Sequence, residues 1–257
     1  MFPADATATA VVIVALGAAV GSFLNVVVER TRAETSPWRG RSACPHCGRT
    51  LAWFELVPIM SWVALGGRCR TCRTRLAVQY LAMEILTAAC FLLVWQVYGL
   101  SWVTLVGWGV VMAMIALATY DAKWSLLPDE WSLALAGLGI VVALATDRSI
   151  LDILAGGVIG AGFFAAQWVG SRGRWVGSGD ILLGFSLGLL LGWRMFGLAL
   201  LLGYMSGAII ASIQILRKKL SLQQSMPFGP YLLGAGLIAW LYGSDIVQWY
   251  FNHAIFR

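Results

Sequence analysis

Apolar residues in this chain come in long blocks, without the period of two or 3.6 that marks a half-buried strand or a surface helix. Eight blocks, at about 6–28, 78–98, 101–120, 130–145, 150–169, 180–193, 195–216 and 230–251, carry few charges inside them. A bilayer core about 30 Å thick is crossed by a helix of roughly 20 apolar residues. The blocks therefore predict about eight membrane-spanning helices, the sixth of them short. Polar residues concentrate in one segment, 29–77, which reads as a loop domain between the first two spans. The first block has Asp5 ahead of it instead of a basic run, and it ends at the basic stretch "ERTRAETSPWRGR". It has the character of an uncleaved span rather than a secretory signal.

Composition strengthens this reading. Hydrophobic residues make up 60% of the 257 and charged residues 12%, with a mean hydropathy of +0.79. Those values exclude an ordinary soluble enzyme. The net charge of +6 raises the question of nucleic acid, but the basic residues sit in short segments between blocks and form no amphipathic surface. Membrane orientation explains them better. Fifteen of the 18 Lys and Arg residues fall on the side of the Arg30 flank, and three (Arg148, Arg194 and Arg257) fall on the other. Because Lys and Arg accumulate on the cytoplasmic side, the 29–77 loop is expected to be cytoplasmic. The fold class expected is all-α: a polytopic membrane helical bundle of about eight spans, in contact with lipid, with a small cytoplasmic zinc-ribbon-like loop domain. Residues 1–28 would be the first span, 29–77 the loop domain and 78–257 the remaining membrane domain.

The loop carries "CPHC" (Cys44, Cys47) and "CRTC" (Cys69, Cys72), two C-x-x-C pairs with 21 residues between them. Each pair offers two thiolates from one turn to a tetrahedral ion, and the intervening chain closes the site. Structural zinc is the expected occupant. Two disulfides are the competing reading, disfavoured among reduced cytoplasmic thiols. A closed four-thiolate shell leaves no position for water or substrate, so chemistry must come from elsewhere.

No G-x-S-x-G elbow, H-E-x-x-H helix or P-loop is present, and neither histidine has a partner by position. Carboxylates remain. In "TYDAKWSLLPDEW", Pro128, Asp129 and Glu130 suit the first turn of a helix, where the dipole stabilises acids. Asp121 has no such explanation. In "GSGD", Gly177 and Gly179 strip side chains from the approach to Asp180 and let a backbone come close. The predicted topology puts both aspartates at the same membrane face. A pair of acids there can share one proton, the ionised one activating water and the protonated one polarising a peptide carbonyl. By spacing alone, ordinary interfacial charges account for the two aspartates equally well.

These residues occur in a recognisable order. "GSFLNVVVER", the two cysteine pairs, "WFELVPIMSW", "MEILTA", "DAKWSLLPD" and "GSGD" together resemble the type IV prepilin peptidases, intramembrane aspartyl proteases of the GxGD class, over about the first 70% of the chain. The resemblance implies that Asp121 and Asp180 are catalytic, that 78–257 forms a transmembrane aspartyl peptidase domain, and that the protein lies in the bacterial inner membrane. It implies cleavage of the basic leader from prepilins or pseudopilins, after a glycine and before the apolar helix. It also implies N-methylation of the new terminus with S-adenosyl-L-methionine, an activity associated with the cysteine loop, where Glu55 is a residue to test. Relatives commonly carry Lys two residues after the GxGD aspartate, whereas this chain has Leu182. Glu84 reads as an interfacial anchor for Arg73 or Arg75. The competing class is a non-enzymatic transporter or assembly scaffold with a zinc-binding docking loop, which would predict mid-membrane polar residues or inverted repeats; neither is evident.

Overall fold

The computed structural model describes residues 4–217 and 226–255, and among them the structure is helical, with only two isolated β-bridges. The stretch "RKKLSLQQS" at 217–225, which reads as a cytoplasmic retention charge followed by a polar turn, lies, beyond Arg217, outside the described residues. The chain forms two compact units, Met1–Leu100 and Ser101–Arg257.

In the first unit, α1 (Ala4–Arg32) and α3 (Val78–Tyr98) pack antiparallel. Their contact is made by small residues: a Cβ on Gly17 would stand 2.6 Å from the Cα of Ala88, and one on Gly21 would stand 2.8 Å from the Cα of Glu84. The G-x-x-x-G spacing at 17–21 is the signal for such close approach in membranes, and sequence reading left it unused. Between these helices runs the loop, with a short 3-10 turn (Trp53–Leu56) and the one-turn helix α2 (Met60–Ala64).

The second unit holds α4 (Trp102–Trp124), α5 (Asp129–Ala145), α6 (Ile150–Ser171), α7 (Ser178–Leu216) and α8 (Gly229–Tyr250). At 39 residues, α7 would be about 58 Å long if straight, nearly twice a bilayer core. It is not straight. Gly192 has φ 71° and ψ 169°, a conformation open essentially to glycine alone. On one side of it, Gly188 lies against Gly156 and Gly184 against Gly160, so that arm runs antiparallel to α6. On the other side, Phe196 reaches Gly160 and Tyr204 bonds Gln167, so that arm runs parallel to α6. Thus α7 is a hairpin folded at Gly192, which matches the predicted break between the sixth and seventh spans. The same contacts identify the partner of the glycines of α6, which is the first arm of α7.

Among the described residues, five helices, α1, α3, α4, α6 and α7, are long and apolar enough to cross a membrane. With α5, α8 and the two arms of α7 counted separately, the long helices coincide with the eight predicted blocks. Local rules set their ends. Pro128, with φ −64°, precedes α5, Asp129 and Glu130 occupy its first turn, and Ser101 and Ser149 cap α4 and α6 through their hydroxyls.

Candidate functional site

The second unit brings the two predicted carboxylates to helix ends. Asp121 is buried in the last turn of α4, and its Oδ2 accepts the backbone N–H of Gly229 at 2.8 Å. Gly229 is the first residue of α8, so the carboxylate caps a helix whose leading N–H groups have no partner of their own. A side chain at 229 has no room: its Cβ would stand 2.6 Å from Asp121 Oδ2. Asp180 lies in the first turn of α7, where its Oδ2 accepts the Gly177 N–H at 2.8 Å.

One contact links the two acidic segments. A Cβ on Gly179 would sit 3.0 Å from Cβ of Leu127, so the GSGD turn rests on the segment that follows Asp121. Gly177 thus supplies an amide to Asp180, and Gly179 permits the turn to close on its neighbour. Leu182 is half-buried in α7 and brings no cation to this end. Sequence reasoning missed two residues here, Gly229 and Tyr204. Gly229 is 108 residues from the acid it contacts. Tyr204 donates its hydroxyl to Gln167 at 3.0 Å and packs on Phe228 with ring centroids 4.7 Å apart. Only Pro230, near the start of α8, hinted at a helix start at this position.

The first unit holds the second predicted cluster. The sulfurs of Cys44, Cys47, Cys69 and Cys72 all lie within 4.8 Å of one another, and all five cysteines are free thiols. Two matching turns build the cluster. Cys44 N–H donates to Arg49 O at 2.9 Å, and Gly48 N–H donates to Cys44 O at 2.9 Å. Cys69 N–H and Arg73 N–H repeat the pattern with Thr74 O and Cys69 O, each at 3.0 Å. Bridges Ala43–Thr50 and Arg68–Arg75 close both turns. The fourth residue after the leading cysteine takes a positive φ in each, 67° at Gly48 and 59° at Arg73.

This geometry fits zinc. Four sulfurs about 2.3 Å from a tetrahedral ion stand about 3.8 Å apart, and Cys44 Sγ lies 3.8 Å from Cys72 Sγ. Backbone N–H groups of Cys72 and Thr71 point at Cys69 and hold its thiol down to about 6, favouring the thiolate that a metal needs.

Glu55 and Glu84 are both buried beside this loop. Glu55 pairs with Arg49 at 2.7 Å and accepts the Ala52 N–H at 2.8 Å. The Arg49 guanidinium, then the Ala52 amide, hold its carboxyl below the ordinary glutamate range. Glu84 does not anchor Arg73 or Arg75: its Oε2 accepts the Ile59 N–H at 2.6 Å. Ile59 has φ 62° and ψ −56°, a γ-turn of the rarer, strained hand, with Met60 N–H bonded to Pro58 O. The strained turn has a fixed amide, and a buried carboxylate satisfies it.

Comparison with known proteins gives a consistent picture. Residues 15–98 match the family model described as Bacterial Peptidase A24 N-terminal domain, and residues 108–212 match the one described as Type IV leader peptidase family. A prepilin leader peptidase/N-methyltransferase of Burkholderia pseudomallei (strain 1026b) is 32% identical over 263 residues, covering 90% of this chain and 84% of that protein. One of Pseudomonas aeruginosa is 33% identical over 276 residues, covering 94% and 93%. One of Aeromonas hydrophila is 30% identical over 263 residues, covering 91% of each. No solved structure matches the chain.

Proposed function

Since the chain belongs to the type IV leader peptidase family, we propose that it is a membrane-embedded aspartic endopeptidase that removes the basic leader from prepilins or pseudopilins and N-methylates the new terminus. The observation that supports the peptidase reading is the packing of the GSGD turn on the segment that follows Asp121, with each carboxylate steadied by one backbone amide. One oxygen of each acid is held, and the second remains for chemistry.

The acids act as a pair sharing one proton. The ionised carboxylate takes a proton from water as the water oxygen bonds to the scissile carbonyl carbon, and the protonated partner gives its proton to the carbonyl oxygen. Collapse of the tetrahedral centre re-forms the carbonyl, breaks the C–N bond and returns a proton to the departing amine. Gly177 and Gly229 position the acids. The substrate's apolar helix stays in lipid while its basic leader projects into water, which suits acids at helix ends.

The cysteine turns hold structural zinc through Cys44, Cys47, Cys69 and Cys72, and S-adenosyl-L-methionine is the methyl donor. The 29–77 loop faces the cytoplasm of a bacterium whose inner membrane the chain spans repeatedly, an orientation supported by the fifteen-to-three division of basic residues. The transporter or scaffold reading has no counterpart among the relatives.

The test is Asp121→Asn and Asp180→Asn, each purified in detergent or lipid and incubated with a prepilin. Each variant is expected to fold and to cleave at least roughly 10³-fold more slowly, the scale on which acid–base groups act. Near-normal leader removal by either would dismiss the pair.

A further inference from the structure

The first unit holds a partly open cavity of about 490 Å³ bounded by α1, α3 and the cysteine loop. Its size is in the range that holds a nucleoside-sized molecule. Two polar atoms on residues lining it are buried without a partner among the described residues: Asn25 Oδ1 and Trp62 Nε1.

The Asn25 amide has a settled orientation. Its Nδ2 donates to Gly21 O at 3.2 Å and to Tyr80 O at 3.3 Å, so the oxygen is the atom left over, on a residue only 3% exposed. The Trp62 ring is fixed by Gly67, where a Cβ would stand 2.6 Å from the ring. An unsatisfied buried donor or acceptor bears the cost of its lost hydration with nothing in return. One such acceptor and one such donor, on residues that line one cavity, are complementary to a polar guest. The walls also carry both signs of charge, with Glu55 and Glu84 on one hand and Arg30 and Arg68 on the other. That mixture suits a zwitterion with an additional cationic centre, and the Trp62 and Tyr80 rings offer flat faces to a purine.

We propose that this cavity binds the methyl donor, S-adenosyl-L-methionine, with Asn25 Oδ1 accepting a hydrogen bond from it and Trp62 Nε1 donating one to it. The proposal rests on the methyl-transfer reading above and adds to it a site. Residues of two helices, Asn25 and Tyr80, are joined with Trp62 of the loop, so the site is assembled by the whole unit rather than by the loop alone.

The experiment uses the full chain in detergent and S-adenosyl-L-homocysteine, the product form, as probe in calorimetric titration. The variants are Asn25→Leu, which keeps the bulk and removes the acceptor, and Trp62→Phe, which keeps a ring over Gly67 and removes the donor. Bound zinc and the thermal midpoint report whether the unit is intact. The expected result is one site in the wild type and at least tenfold weaker binding in both variants with zinc retained. Binding within twofold of wild type in either zinc-loaded variant overturns the site while leaving methyl transfer standing. Absence of binding to the wild type also overturns it. Mass spectrometry of the mature product then separates the two ideas: a methylated terminus means that only the cavity assignment has failed, and an unmethylated one means that methyl transfer has failed with it.

Discussion

The two units build their polar clusters by opposite means. In the first, each half of the cysteine cluster is a short turn closed by its own backbone hydrogen bonds, so two local motifs need only meet. In the second, Asp121 is held by an amide 108 residues away, and the turn at the head of α7 rests on the segment that follows it. A local cluster fails when its ligands or turn residues change. A long-range one fails when helix packing shifts by a fraction of an ångström.

Substitutions can separate these modes, beginning with the largest effect. Cys44→Ser with Cys69→Ser should abolish bound zinc, measured by elemental analysis, and expose residues 41–76 to limited proteolysis, since structural zinc contributes on the order of 10 kcal/mol to folding in small thiolate sites. A full complement of zinc in that variant would contradict the four-thiolate assignment. Next, Gly229→Ala should slow leader cleavage by about 10²-fold, as misplacement of a catalytic group by about 1 Å does, with zinc content unchanged. An unaffected rate would mean that the α8 amide does not position Asp121.

Glu55→Gln should destabilise the first unit by about 1.5–3 kcal/mol, the worth of a charge-assisted hydrogen bond, seen as a lower thermal midpoint. The sign with pH follows from its depressed folded value. The contribution is present above the ordinary glutamate range and is lost as pH falls through the lower folded value, so wild type and variant should converge in acid. The smallest effect is a gain. Arg73→Gly removes a non-glycine residue from φ 59°, where Gly48 already serves the matching turn, and should stabilise the first unit by about 1 kcal/mol.

What could be read from the sequence divides along the same line. The eight apolar blocks, both C-x-x-C pairs and the two aspartates were visible because each is a pattern within a few residues. The partner of the glycines in α6 was not visible, since Gly156 and Gly160 do not say which helix faces them. Nor was the role of Gly229, whose need for a missing side chain arises only when α4 arrives beside it. Glu84 misled for a related reason. Nearby arginines made an ion pair the simplest reading, whereas the carboxylate is spent on the amide of a strained isoleucine. The unpartnered atoms of Asn25 and Trp62 are likewise properties of packing.

The fold at Gly192 has a further consequence. The arm of α7 from Ser178 to this glycine rises only about 21 Å, and its pairing of Gly184 with Gly160 sets Asp180 level with residue 164, well short of the end of α6 at Ser171. Such an arm is shorter than the hydrocarbon slab. Residues 183–192 are buried among neighbouring helices apart from the half-buried Phe185, so the shortfall is met inside the bundle, where Asp180 is set back from the end of the helix beside it.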